Sequence, residues 1–294
     1  MSSLSASIIV PVFNDQQNLN ACLAALAEQD FCHDHFEVLV VDNGFCPKLT
    51  LPDFPNLTMH LLHCDRPGSY AARNAGLRMA SGEVLVFLDV DCHPCTHWLA
   101  SGLEALHEAP AKTIVGGEVV FESSENPAAT ELFQSIKFPG QQYHIEKEGF
   151  SGTSNLFVRA EHMLKIGEFS EVLLSGGDKE WCWRAIEQGF GLAFSSRAVV
   201  TSYYRQSLAA LVIRIRRIAG GRYYMKKRMD INQSAIGGSS QSSSNSFDGL
   251  VYILSQNDLS LIDRCRVISI AVVLKVVELA EALRLRAGFS AERR

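Results

Sequence analysis

Residues 84–91 read Val-Leu-Val-Phe-Leu-Asp-Val-Asp, and this stretch decides the predicted fold. An apolar run without alternation favours a strand that is buried on both faces, as in a parallel or mixed α/β sheet. The run stops at two carboxylates, Asp89 and Asp91. Ligands of open α/β sheets bind at the carboxyl ends of the strands. The sequence therefore predicts a binding site at the end of this strand.

The two carboxylates are separated by one residue, so their side chains would point the same way in an extended chain. Neighbouring carboxylates repel each other unless a cation lies between them or one of them is protonated. Mg²⁺ or Mn²⁺ would relieve that repulsion, and such ions are held by one or two carboxylates together with substrate phosphates. An ordinary solvated Asp-x-Asp turn is the alternative that this short pattern leaves open.

The composition is globular, with 294 residues of which 47% are hydrophobic and 20% charged. This length favours one α/β domain with C-terminal additions. The net charge of −5 argues against a general nucleic-acid binder. The eight cysteines follow no regular framework, and the first residues show no signal pattern. Both features predict a reducing, cytoplasmic setting.

Earlier segments repeat the pattern of a buried strand that ends in polar residues. Residues 7–13 and 37–41 predict two such strands, and the second ends at Asp42-Asn43-Gly44. Asn14 and Asp15 can cap the helix after the first strand. A third strand is expected at 57–62 and a helix at 70–79. Arg73 and Asn74 lie near the start of that helix, where free N–H groups and an arginine favour phosphate. The order predicts half of a doubly wound, nucleotide-binding sheet.

A later helix, predicted at 179–188, follows two glycines and begins with acidic residues. Asp178 and Glu180 lie in its first turn, where negative charge stabilises a helix. Helix capping explains the acids without explaining Gly176 and Gly177, which would let a substrate approach the backbone closely.

The C-terminal part is basic and helical. Residues 205–228 combine a helical apolar stripe with eight lysines or arginines and no acidic residue. They predict either a surface for phosphates or anionic lipid, or a solvated helix face. A last helix is expected at 259–286, and its apolar part is too short and too charged for a membrane span. Interfacial binding, partner docking and packing on the sheet all remain open for it.

Five segments together make the chain resemble the family 2 glycosyltransferases over roughly residues 5–230. They are Val10-Pro11-Val12-Phe13-Asn14, Val41-Asp42-Asn43-Gly44, Ala72-Arg73-Asn74-Ala75-Gly76, Leu88-Asp89-Val90-Asp91, and Gly176-Gly177-Asp178-Lys179-Glu180-Trp181 with Arg184. The resemblance implies an α/β fold of the Rossmann-like nucleotide-diphospho-sugar transferase type. We expect a mostly parallel mixed sheet flanked by helices, with a C-terminal helical extension. The expected division is a catalytic domain at 1–230, a Ser-rich flexible loop at 231–249 and the extension at 250–294.

The resemblance also implies a function and roles for individual residues. The implied enzyme is inverting, non-processive and metal-dependent, and moves a sugar from a UDP- or GDP-sugar to the hydroxyl of a glycan or lipid-linked acceptor. Asp178 would be the general base, with Glu180 as the neighbouring acid, and Asp89 and Asp91 would hold Mg²⁺ or Mn²⁺. The expected nucleotide-binding residues are Pro11, Val12, Phe13, Asp15, Asp42, Arg73, Asn74 and Asp89. The expected acceptor or phosphate contacts are Gly177, Trp181, Arg184 and Arg217.

Two positions differ from many family members. Gly177 precedes Asp178 where a glutamate is common, and residues 199–204 carry no histidine. The alternatives are a non-catalytic scaffold that binds a partner through its C-terminal helix and, less favoured, a sugar-nucleotide pyrophosphorylase. A zinc site at Cys92, His93, Cys95 and His97 is also open, although no second pair lies at finger spacing. Residues 205–228 and 259–286 are candidates for peripheral contact with the inner face of the membrane.

Overall fold

The computed structural model describes residues 5–44, 48–236 and 259–291, and of residues 228–236 it describes the backbone alone. Contacts divide the chain into two compact units. The sheet unit comprises residues 1–120, 140–172 and 177–202, and the helical unit comprises residues 121–139, 173–176 and 203–294. Contacts thus group the segment after residue 203 with the C-terminal helix, whereas a catalytic domain ending at 230 stays a prediction.

The strands predicted at 7–13, 37–41 and 57–62 and from Val84 are the first four strands of the sheet, and further strands follow them along the chain. They are β1 (Ala6–Val12), β2 (Phe36–Asp42), β3 (Met59–His63), β4 (Val84–Leu88), β5 (His93–Pro94), β6 (Thr113–Glu122), β7 (Asn155–Arg159) and β8 (Gly191–Tyr203). The helices of the sheet unit are α1 (Gln16–Ala27), α2 (Ser69–Leu77), α3 (Trp98–Glu108), α5 (Gln141–Glu148), α6 (Ala160–Ile166) and α7 (Gly177–Glu187). The helical unit holds α4 (Ala129–Lys137), α8 (Leu208–Ile236) and α9 (Leu261–Arg286).

The eight strands form one mixed sheet in the order β3-β2-β1-β4-β7-β6-β8-β5. β1 pairs in parallel with β2 and β4, and β2 pairs in parallel with β3. β7 is antiparallel to both β4 and β6, so β6 runs in the direction of β4. The Gly191 amide bonds to the Lys112 carbonyl at the beginnings of β8 and β6, so these two strands also share a direction. The α/β class and the mostly parallel mixed sheet are confirmed.

Burial explains why the first strands read as unbroken apolar runs. Every residue of β1 and β2 is buried, because helices cover both faces of this part of the sheet. α2 packs close to β1 at Gly76, where a Cβ atom would lie 2.6 Å from Cγ2 of Ile9. Only glycine permits that approach, so Gly76 sets the position of α2.

The helical unit has a small core of its own, formed by residues of α4, α8 and α9. Phe133, Leu211, Val267 and Leu274 form its buried centre. α8 continues through Ile236, so the first six residues of the expected loop at 231–249 are helical. The rest of that loop lies outside the described residues. Within the described ranges, no helix is long and apolar enough to cross a membrane.

Glu37 fastens β2 to its neighbours at the amino ends of the strands. Its buried carboxylate accepts hydrogen bonds from the Ser7 hydroxyl at 2.6 Å and from the amide and hydroxyl of Ser81 at 2.9 and 2.7 Å. Burial by itself would raise the pKa of Glu37, but these hydrogen bonds outweigh burial and lower the pKa below its ordinary value. The folded state therefore favours the charged carboxylate.

This lowered pKa makes the stability of the protein depend on pH. Glu37→Gln should reduce the free energy of unfolding by about 1–3 kcal/mol at neutral pH, because donors that bind a carboxylate lose it. The contribution is complete above the unfolded glutamate pKa of about 4.3 and is lost as pH falls through the lower folded pKa. Urea unfolding over a pH series would measure it, with the exposed Glu125→Gln as control. If the free energies of unfolding of the wild type and Glu37→Gln differ by the same amount from neutral to acidic pH, this account is contradicted.

Candidate active site

The loops after β1 and β2 meet at the carboxyl ends of these strands. Asn14 has a left-handed backbone with φ of 50°. A Cβ atom on Gly44 would lie 2.0 Å from Oδ1 of Asn14, so a larger residue there would displace the Asn14 side chain. The Gly44 amide donates to Oδ1 of the buried Asp42 at 2.8 Å, and the Asn43 amide donates to the Val12 carbonyl at 2.8 Å. Asp42 thus lies in a turn that is tied to the end of β1.

Asn43 extends this connection to the start of α2, which the sequence reading did not predict. Its side-chain NH₂ donates to the carbonyls of Cys64 and Arg66 at 2.8 and 2.7 Å. Its Oδ1 accepts from the Gly68 amide at 2.9 Å. A polar residue directly after a buried strand was the available signal for such a role. Asn43 holds the loop that leads into α2.

One face of α2 carries a buried arginine that pairs with the first carboxylate of the Asp-x-Asp segment. Arg73 is only 3% exposed, and its guanidinium forms an ion pair with Oδ1 of Asp89, which is 36% exposed. The guanidinium also lies over the ring of Tyr70, at 5.4 Å from the ring centroid. Among the residues that the structure describes, the buried Nε of Arg73 finds no hydrogen-bond partner. A buried charged donor of this kind suits an anionic ligand that supplies the missing acceptor.

The Asp-x-Asp segment forms a turn, so the extended chain assumed from the sequence is wrong. The Cys92 amide bonds to the Asp89 carbonyl at 3.0 Å, which closes the turn. Both carboxylates nevertheless lie close to the same buried thiols. Burial raises the pKa of Cys22 and of Cys92, and the charges of Asp91 and Asp89 raise both pKa values further. The charges of Asp89 and Asp91 thus act on the same two buried thiols.

Two hydrogen bonds hold the carboxylate of Asp178, and both go to the same oxygen. The Tyr70 hydroxyl donates to Oδ1 at 3.1 Å, and the Lys179 amide donates to the same atom at 2.9 Å. Burial and the charge of Asp178 raise the pKa of Tyr70, so the phenol remains a protonated donor. A Cβ atom on Gly177 would lie 2.7 Å from the Tyr70 ring, so the glycine before Asp178 makes room for this contact. The second oxygen, Oδ2, lies beside Gly152, since a Cβ atom on this glycine would be 3.9 Å from it.

These contacts connect the two predicted halves of the site. Asp89 binds Arg73, Arg73 lies over Tyr70, and Tyr70 binds Asp178. A carboxylate pair suited to a cation and a separate carboxylate suited to proton transfer are thus joined through one face of α2. The arrangement can hold an anionic ligand at one end and accept a proton at the other.

A comparison of sequences identifies the family. The profile described as Glycosyl transferase family 2 matches residues 7–161, which is more than half of the chain. The chain belongs to glycosyl transferase family 2. The resemblance drawn from the five sequence segments is therefore confirmed.

Individual family members and a solved structure agree with this assignment. Glycosyltransferase AglE of Haloferax volcanii is 36% identical over 195 residues, which cover 64% of this chain and 64% of AglE. The chain thus matches less than two thirds of the length of AglE. A Methanococcus voltae protein is 27% identical over 222 residues, covering 68% of this chain and 67% of its own. It is described as a dolichyl N-acetyl-α-D-glucosaminyl phosphate 3-β-D-2,3-diacetamido-2,3-dideoxy-β-D-glucuronosyltransferase.

The fold comparison covers nearly all of the chain. The mannosyltransferase PcManGT of Pyrobaculum calidifontis, solved in complex with GDP-Man and Mn²⁺, superposes with a TM-score of 0.60 at 17% identity. The match covers 96% of this chain and 88% of the mannosyltransferase. At this identity the likeness shows the fold, which is the nucleotide-diphospho-sugar transferase fold expected from the sequence.

Several residues that the family pattern suggested for ligand contact have structural roles instead. Asn74 is fully buried, and its amide binds both backbone groups of Phe169 and the Glu171 carboxylate, so a direct nucleotide contact is not supported. Trp181 is fully buried and donates to the Gly167 carbonyl at 2.8 Å, so it is a core residue and no acceptor wall.

Arg184 of α7 binds the loop that follows α6 and pairs with Glu180 of its own helix. The Arg184 guanidinium donates to the carbonyls of Ile166 and Glu168 and pairs with Glu180 at 3.4 Å. Glu180 is thus a partner of Arg184, and the phosphate contact of Arg184 stays a prediction. Arg217 belongs to α8 of the helical unit.

The four predicted residues near β1 lie in the strand or directly after it. The side chains of Pro11 and Val12 are buried in β1, so these residues offer a ligand no side chain. Phe13 is half-buried just beyond the strand. Both oxygens of Asp15 bind Asn18, at 3.1 Å to its amide and 2.8 Å to its side chain, which confirms Asp15 as the cap of α1.

The expected metal ligands are limited to the two aspartates. In the part of the chain that the structure describes, no three His, Cys, Asp or Glu side chains form a metal cluster. The zinc alternative at Cys92, His93, Cys95 and His97 therefore finds no support. His93 pairs with Thr201 between β5 and β8. Thr201 lies within residues 199–204, the stretch in which many family members carry a histidine.

The role of Asn74 can be tested against a second link between α2 and the same loop. Asn74→Ala should lower the free energy of unfolding by about 1–3 kcal/mol, because it leaves the buried backbone N–H and C=O groups of Phe169 without their hydrogen-bond partners. Arg78→Ala removes an exposed pair with Glu168 and should cost less than about 1 kcal/mol. Urea denaturation of both variants compares the two costs. Equal losses would show that Asn74 is not the main connection.

Proposed function

We propose that this chain is an inverting, non-processive glycosyltransferase of glycoconjugate or polysaccharide biosynthesis. It would transfer a sugar from a nucleoside diphosphate sugar to an acceptor hydroxyl. The observation that carries this proposal is the contact series from Asp89 through Arg73 and Tyr70 to Asp178. Such a transfer needs cationic groups at the departing diphosphate and a base at the acceptor hydroxyl, and the series offers both.

The donor end suits a diphosphate and a divalent cation. Asp89 and Asp91 supply hard oxygen ligands, which Mg²⁺ and Mn²⁺ prefer, and diphosphate oxygens would complete the coordination. When bound, the ion would neutralise charge that develops on the leaving diphosphate. Arg73, with its unpartnered Nε, would add a fixed positive charge. Phe13 and Asp42 would line the base and ribose part of the site. The donor would be a UDP- or GDP-sugar. The mannosyltransferase complex with GDP-Man and Mn²⁺ supports a nucleoside diphosphate sugar and a divalent ion.

The acceptor end suits a single displacement. Tyr70 and the Lys179 amide hold Oδ1 of Asp178, so Oδ2 is the oxygen that would take the proton of the acceptor hydroxyl. Attack by that hydroxyl with departure of the nucleoside diphosphate inverts the anomeric centre. Retention by double displacement would need a carboxylate nucleophile close to the anomeric carbon. In the single displacement, Asp178 would act as the base.

The acceptor would be a glycan or a lipid-linked glycan in the cytoplasm. The Methanococcus voltae relative is described as acting on a dolichyl-linked sugar phosphate, which supports a lipid-linked acceptor. The basic α8 and α9 helices are compatible with a phosphate-bearing lipid.

Nucleotide binding tests the donor site. Thermal shift with UDP or GDP in the presence of Mn²⁺ should stabilise the protein, by about 2.7 kcal/mol at a hundredfold excess over Kd. The shift should require the metal and should disappear in Asp91→Asn, while Asp53→Asn, an exposed aspartate on another loop, should retain it. No shift with any nucleoside diphosphate would remove the donor site. Binding without turnover of any donor would favour the scaffold alternative.

Turnover tests the base and its tyrosine. Asp178→Asn should reduce kcat by roughly 10²–10⁴ while nucleotide binding persists, because a general base contributes about that factor. Tyr70→Phe keeps the ring and loses one hydrogen bond to a charged oxygen, so kcat should fall about tenfold with an unchanged donor KM. The rate of sugar release or transfer, with donor KM, distinguishes the two effects. A rise in donor KM without a change in kcat would assign Asp178 to donor binding.

A further inference from the structure

Helix α9 has two faces of opposite character. Val267, Leu274, Glu281 and Leu285 are buried at intervals of seven and four residues, which places them on one seam of the helix. Val267 and Leu274 belong to the core that α9 shares with α4 and α8. This seam accounts for the packing of α9 within the helical unit.

The opposite face is apolar and exposed. At 3.6 residues per turn, its members lie about half a turn from the seam. Large apolar side chains there are between 41% (Val273) and 78% (Leu261) exposed. We define the outer face of α9 as Leu261, Ile262, Cys265, Ser269, Val272, Val273, Val276, Leu279, Ala280 and Leu283. A contiguous exposed apolar face of this length marks an interaction surface.

The charges of α9 are sorted around this outer face. Its three acidic residues lie toward the seam and are paired there. Glu281 binds Arg216 and Arg284, Glu278 binds Arg222 and Lys275, and Asp263 binds Arg266. The cations flank the outer face on both sides, with Arg264, Lys275 and Arg286 along one edge and Arg266 and Arg284 along the other. The outer face itself contains no acidic residue.

We propose that the outer face of α9 binds the surface of a bilayer that carries anionic lipids. Apolar side chains would enter the boundary between headgroups and acyl chains, and the flanking cations would meet the lipid phosphates. A second copy of this chain fits less well, since a symmetric contact would bring identical rows of cations together. The helix carries too many charges to span the bilayer, so it would lie in the plane of the surface.

The sequence analysis named residues 205–228 as well as residues 259–286 as candidates for membrane contact. The structure gives the basic residues of α8 another role. Arg216 and Arg222 of α8 bind the acids of α9, and the Arg214 guanidinium lies 4.2 Å from the centroid of the Phe138 ring. Part of the basic stripe of α8 therefore holds the helical unit together. It also neutralises the acids that would otherwise repel an anionic surface.

Vesicle sedimentation with the full chain tests the proposal without any sugar substrate. The wild type should sediment with vesicles of phosphatidylcholine and phosphatidylglycerol, less with phosphatidylcholine alone, and less at high salt. A double substitution, Val276→Asp with Leu279→Asp, should weaken binding about tenfold or more. Leu164→Asp is the matched control, because Leu164 in α6 is 85% exposed and should tolerate the same change without effect. Circular dichroism melts would show that all variants remain folded.

Three results would overturn the proposal. The first is equal vesicle binding by the double variant and the control, and the second is no binding by the wild type at low salt. The third is a dimer that sedimentation equilibrium detects in the wild type and not in the double variant, without vesicle binding, which would assign the outer face to a second copy. Because no donor is needed, each of these results leaves the proposed transfer activity to be judged by its own tests.

Discussion

The ion pair between Arg73 and Asp89 is the interaction on which the arrangement of the site depends. Arg73 is almost fully buried, and a buried charge without its partner costs about 3–5 kcal/mol. This cost keeps the start of α2 against the end of β4. Asp89 stays partly exposed in this pair, and within the described residues Nε of Arg73 has no hydrogen-bond partner. The pair therefore stabilises the fold and still leaves polar groups at the end of β4.

The same helix face organises the rest of the site. Tyr70, Arg73 and Asn74 are spaced at i, i+3 and i+4, so one side of α2 presents all three. They reach Asp178, Asp89 and the loop around Phe169, three segments that are far apart in the sequence. Two glycines permit this convergence, because Gly76 lets α2 approach β1 and Gly177 admits the Tyr70 ring. The position of Asp178 is therefore set by packing as much as by its own helix.

Charge is used differently in the helical unit. Glu281 is buried between Arg216 and Arg284, and their hydrogen bonds lower its pKa, although burial opposes that shift. The acids of α9 thus join it to α8, whereas its apolar residues are divided between a packed seam and an exposed face. A helix that packed only on its own domain would leave few such residues in water.

The sequence alone determined the first four strands and the class of the sheet, and it placed Asp89 and Asp91 at the end of a strand and Asp178 at the start of a helix, since each depends on a local pattern of apolar and polar residues. It also determined the cap at Asp15, which needs only its neighbours. The tertiary structure decided which of the candidate residues are engaged by the fold. Asn74, Trp181 and Arg184 match the family pattern as well as Arg73 does, yet all three donate to carbonyls of the loop that follows α6. Such long-range contacts, like the exposure of one face of α9, arise only when the elements pack, and no local pattern contains them.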